Sequence, residues 1–130
     1  MKKLLFLFGL LLLSIGSYAQ AYTLDMTSGG VECYHMFSTC NGETVVMVKF
    51  NNTNPAPVTI SWKQLFASTE FPNLETGAWQ RQLVLQPGET FAVDCNDVAH
   101  KDCMFGPDDV QPTYRAVITS FQFDSVTVTP

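Results

Sequence analysis

Positive charge is scarce in this chain of 130 residues: Lys and Arg number 7 against 12 Asp and Glu, a formal net charge of -5 at pH 7. Binding a polyanion needs clustered cations that displace condensed counterions. Beyond Lys2 and Lys3 the cations are scattered, at Lys49, Lys63, Arg81, Lys101 and Arg115, which argues against nucleic acid and anionic membrane surfaces as partners. Histidine is scarcer still, with 2 residues, His35 and His100. The chain has no G-x-S-x-G and no H-E-x-x-H, so neither a hydrolase nucleophile elbow nor a zinc-peptidase helix is written in it. No motif fixes an enzymatic activity, and no cofactor is expected.

Long apolar runs are missing as well. The longest, Leu4 to Leu13, spans about 15 Å as a helix, about half of a bilayer core, so no stable membrane anchor is expected. No cysteine occurs before Cys33, which excludes a lipid-modified cysteine just after that run. Apolar spacing of three and four is nearly absent throughout, leaving helix as a minor element.

The basic pair Lys2-Lys3, the apolar run and the small-residue ending Ser17-Tyr18-Ala19 have the pattern of a secretory signal peptide spanning residues 1–19, cut after Ala19. A single domain, residues 20–130, is expected to remain, carrying 5 basic against 12 acidic side chains, secreted or periplasmic.

Short alternating runs separated by turn residues fill that domain, the pattern of an all-β sandwich. Val31 to Cys40 and Glu43 to Phe50 flank Asn41-Gly42, a strong type I′ hairpin signal. That turn pairs Thr39 with Thr44, Phe37 with Val46, His35 with Val48 and Cys33 with Phe50. Asn51 to Pro57 is a turn segment, and Asn51-Asn52-Thr53 also matches a glycosylation acceptor. In the next strand Val58, Ile60 and Trp62 share one face, placing Trp62 in the core rather than on a ligand. Residues 65–78 read as a long loop carrying Phe66, Phe71 and Leu74. Strand resumes over residues 80–86. Gln86-Pro87-Gly88-Glu89 is a type II turn, and Thr90 to Cys95 returns with Phe91 and Val93 inward. Residues 96–111 form a second, acidic loop, and residues 113–129 one long bent strand or two short ones, with a bulge between Ser120 and Ser125.

Export favours disulfides among Cys33, Cys40, Cys95 and Cys103. In one strand Cys33 and Cys40 lie about 23 Å apart, too far to bond. Following antiparallel chain direction, the Asn41-Gly42 turn and both long loops gather at one end of the domain, here the upper end, with Cys40, Cys95 and Cys103. The bond expected first is Cys95 to Cys103, which closes a short loop, with Cys40 as the competing partner. Cys95, His100, Cys103 and Cys40 lack regular zinc spacing. The acidic positions Asp94, Asn96, Asp97, Asp102, Asp108 and Asp109 begin like a calcium loop but lack its Gly and Glu, and read as a hydrated loop.

The set Thr39-Cys40-Asn41-Gly42, Val58 to Trp62, Leu85-Gln86-Pro87-Gly88-Glu89, Asp94-Cys95, Cys103 and Ile118 to Val128 resembles a group of short exported proteins typical of the Bacteroidota. The resemblance implies an immunoglobulin-like antiparallel sandwich of about seven strands and no particular activity. Cys33 has no counterpart in that pattern, and the Cys-Trp-Cys spacing and tyrosine corner of true immunoglobulin domains are absent.

Recognition by loops on a rigid sandwich makes the upper end the expected contact surface, with Phe71, Leu74, Trp79, His100, Met104 and Phe105 as candidate binding residues for a protein or glycan at the cell envelope. The alternatives are packing of those residues onto the sandwich end, a carbohydrate-binding domain stacking sugars on Trp79 and Phe71, and an enzyme built on His100 beside the acidic loop.

Overall fold

The computed structural model describes residues 21–69, 72, 73, 75, 76, 80–109 and 117–130. The expected signal peptide, residues 1–19, and the candidate residues Phe71, Leu74 and Trp79 lie outside them.

Three strands form a meander: β1 (Thr23–Ser28), β2 (Val31–Cys40) and β3 (Glu43–Asn52). Both connecting turns have two residues with positive φ, 53° and 77° at Gly29-Gly30 and 52° and 77° at Asn41-Gly42. That is the backbone a type I′ turn demands, and its twist matches the flanking strands. The β2–β3 register is the one expected from Asn41-Gly42, with Thr39 opposite Thr44, Phe37 opposite Val46, His35 opposite Val48 and Cys33 opposite Phe50.

The chain then crosses to a second sheet. There β4 (Val58–Ser68) pairs on one side with β9 (Ile118–Thr129) and on the other with β5 (Glu75–Thr76) and β6 (Arg81–Leu85). Between β6 and β9 the chain revisits the first sheet, where β7 (Gly88–Phe91) and β8 (Met104–Phe105) share the free edge of β3. All pairings are antiparallel. The fold is an all-β sandwich with seven strands of four residues or more among the described residues.

Alternation fills the space between the sheets. Trp62, Ile60, Phe50, Phe66, Phe105, Leu85 and Val46 are buried. The rings of Phe66, Phe105 and Phe121 lie within 5.9 Å of one another. Burying one such side chain contributes roughly 2 to 3 kcal/mol. The expected core position of Trp62 is borne out: it is 0% exposed and sits 4.9 Å from Phe50. The upper half of β3 is buried on its outer face too, where Val45 and Met47 pack with Met36 under Tyr22 and Met104.

Several expectations need correcting. Residues 65–68 belong to β4, not to a loop, because β9 pairs with that strand as far as Ser68; Phe66 is consequently core. Phe91 and Val93 do not face inward. Phe91 lies opposite Lys49 on the outer face, Val93 is 72% exposed, and Ala92 takes the core position between them. Gln86-Pro87 is a corner between the two sheets rather than a hairpin within one, and it enters β7 in the opposite phase. A slip of one residue exchanges every inward and outward side chain. The bulge expected between Ser120 and Ser125 falls at the far end of that range: the β4–β9 register shifts between Ser61, opposite Thr127, and Lys63, opposite Asp124, with Ser125 at a φ of 50°.

The preferred disulfide is also corrected. Cys40 bonds Cys95, with Cα atoms 5.7 Å apart, and Cys33 and Cys103 are free and buried. After β7 the backbone turns outward, because Asp97 accepts the Val93 N–H at 3.1 Å and Asp94 accepts the Asn96 N–H at 2.8 Å. Cys95 is thereby carried over the end of β2. A 3-10 turn (Val98–Cys103), capped by Asp97, then delivers Cys103 into the core beside β8.

A candidate ligand cleft on the sandwich rim

Arg81, Leu83 and Leu85 alternate on the core-facing side of β6, and Arg81 stands opposite Trp62. A charge at an inward position must find partners. Arg81 finds them on the segment that crosses between the sheets: Nη1 donates to Asp102 at 3.2 Å and Nη2 to Asp109 at 2.9 Å. Phe105 supports the guanidinium from below, 4.5 Å from ring centroid to Cζ. Asp109 is itself fixed, since its second oxygen accepts the Gly106 N–H at 2.8 Å within a 3-10 turn (Pro107–Asp109). Only 16% of the Arg81 side chain is exposed. Planar, charge-assisted bonding of this kind holds a side chain in one geometry.

Above this clamp opens a cleft of about 540 Å³. Gln80, Arg81 and Gln82 line the β6 wall, and Lys101, Asp102, Met104 and Asp109 line the facing wall. Gln80, Gln82 and Lys101 are exposed, and Met104 is half-buried.

The three candidate residues within the described set do not form one surface. Met104 lines the cleft. Phe105 is 0% exposed and serves as the floor under Arg81, so it packs rather than contacts. His100 is outside the cleft lining, and its Nδ1 meets Asp97 at 2.9 Å. Asp97 accepts three bonds, from the Val93 N–H and from the backbone and ring of His100. The Val93 N–H, followed by the His100 ring, holds the Asp97 carboxyl below its ordinary range. Much of the acidic loop is thus internal bracing. Among the described residues no three His, Cys, Asp or Glu side chains gather as a metal site.

The cleft residues missed by sequence reasoning are Gln80, Arg81 and Gln82. The available signal was Arg81, a charge in phase with Leu83 and Leu85. Its partners lie 21 and 28 residues away, which no local pattern reveals.

Other chemistry-bearing groups are spoken for. A bulge in β1 turns Asp25 onto His35, whose Nδ1 lies 2.5 Å from the carboxylate. Its ring packs on Phe37 and Phe121. Burial, helped by the Asp25 charge, pushes the Cys33 thiol up to about 12. Burial does the same to Cys103, also to about 12, with Asp102 and Asp97 adding to it and Arg81 opposing. Thiols so far from ionisation are poor nucleophiles. Asn51, the acceptor position of the glycosylation match, lies within β3 and donates to Glu32 at 2.7 Å. Among the described residues no helix is long and apolar enough to cross a membrane.

No protein-family model, curated protein or solved structure matches this chain.

Proposed function

We propose that this protein is an exported, immunoglobulin-like binding module that holds its ligand in the rim cleft between β6 and residues 98–109. The observation that carries this reading is the Arg81 clamp. Four residues from two sheets and two turns fix the polar wall of an open cleft before any ligand arrives. Preorganisation of that kind lowers the ordering cost of binding. Among the described residues, the carboxylates of the lining, Asp102 and Asp109, are both bound to Arg81, an arrangement suited to holding a ligand. The Cys40–Cys95 bond is in keeping with an oxidising compartment, as is the pattern of residues 1–19.

Hydrogen exchange of the protein with and without cell-envelope extract tests the reading. Slowed exchange is expected at residues 80–82 and 98–109. Protection confined to the opposite end, at residues 29–30 and 52–57, would overturn it.

A further inference from the structure

Resting on the proposal that the rim cleft is the binding site, we infer that its ligand is a neutral, hydroxyl-rich molecule, with the chemistry of a glycan that carries no acid groups. Among the described residues the lining holds two cations, Arg81 and Lys101, and two carboxylates, Asp102 and Asp109, so their charges balance.

The arrangement penalises both kinds of ion. An anionic ligand at Arg81 comes up beside Asp102 and Asp109, which hold the guanidinium at 3.2 and 2.9 Å, and is repelled by both carboxylates. A cationic ligand at either carboxylate comes up beside Arg81 and Lys101 in the same lining. A ligand of either charge therefore meets like charge beside every opposite charge that the described lining offers.

A hydroxyl group does not face that conflict, because it donates one hydrogen bond and accepts two. The exposed carboxamides of Gln80 and Gln82 each offer two N–H donors and one oxygen acceptor. Lys101 offers further donors, and among the described residues it makes no ion pair. The lone pairs of Asp102 and Asp109 not used by Arg81 and Gly106 remain acceptors. Donors and acceptors are thus both present on the two walls, as a ligand carrying several hydroxyls requires. Met104, the only apolar side chain among the described residues of the lining, supplies a soft surface for a C–H face. The acidic surplus of the whole chain adds long-range repulsion against acidic polysaccharides.

Titration of the ¹⁵N-labelled protein with cellohexaose, xylohexaose and mannohexaose, and separately with hexagalacturonic acid, tests the inference. At least one neutral hexasaccharide is expected to shift the Gln80 and Gln82 side-chain amide signals and the Lys101 backbone amide. Gln82→Ala and Lys101→Ala remove exposed groups outside the Arg81 clamp, and each is expected to weaken that binding about tenfold, the worth of one good hydrogen bond. Tighter binding of hexagalacturonic acid at the same residues would overturn the neutral class and leave the cleft reading intact. No shift at these residues with any neutral hexasaccharide would also overturn the inference, while the hydrogen-exchange measurement judges the cleft on its own.

Discussion

Asn52 shows how much one buried amide can organise. It is 2% exposed, donates to the carbonyls of Ala56 and Leu85 at 3.1 Å each, and accepts from the backbone and side chain of Asn54 at 3.0 and 2.9 Å. Because Leu85 belongs to β6, this side chain joins the lower ends of both sheets. Asn52→Ala leaves buried polar groups unpaired and is expected to cost about 3 kcal/mol, measured by urea unfolding. Asp97 acts at the upper end, and its contribution depends on pH. Its pKa is depressed below 3.8 in the fold, so its contribution is present above the ordinary carboxylate range and is lost as pH falls through the depressed value. The melting temperature of Asp97→Asn is therefore expected to lie below that of the parent at pH 7, with the gap closing toward pH 2. A gap that widened in acid would contradict the assignment.

Among the elements, the two glycine-containing hairpins look alike in sequence and differ in what surrounds them. Gly30 and Gly42 both have a φ of 77°. A Cβ on Gly42 would meet nothing within 4 Å, whereas one on Gly30 would lie 2.6 Å from Asn54 Oδ1. Asn54 cannot easily withdraw, since its Nδ2 holds Gly29 O at 2.9 Å while its backbone and side chain both hold Asn52. Gly42→Ala is expected to lose about 1 kcal/mol, the cost of a left-handed backbone. Gly30→Ala should lose at least about 1 kcal/mol more, because the clash falls on the network that joins the sheets. Thermal unfolding of the two variants side by side checks the difference. Strand pairing shows the same dependence on surroundings. The β2–β3 register follows from Asn41-Gly42 alone, while the phase of β7 follows from the corner at Pro87, whose change of sheet leaves no mark in the alternation.

For the whole molecule the Cys40–Cys95 bond is the largest single constraint, because its 55-residue separation encloses β3 to β7. Loop entropy assigns it about 4 kcal/mol, a large share of the stability of a domain this small. The double variant Cys40→Ala, Cys95→Ala is expected to lose about that much in urea unfolding. A loss below about 1 kcal/mol would mean that the reduced chain is already confined. The candidate site belongs to this scale as well. Arg81 comes from one sheet, and Asp102, Phe105 and Asp109 come from the segment that returns to the other, so the cleft exists only once the two sheets have met.

Local physics in the sequence determined the all-β class, the Asn41-Gly42 hairpin and its register, the burial of Trp62 and the bulge near Ser125, because each depends on alternation or on the backbone preference of neighbouring residues. Closure of the two sheets decided the rest. It selected which cysteines bond, which way Phe91 and Val93 face, and which carboxylates Arg81 holds. Those outcomes depend on distances between residues far apart in the chain, and such distances are set by how the sheets stack.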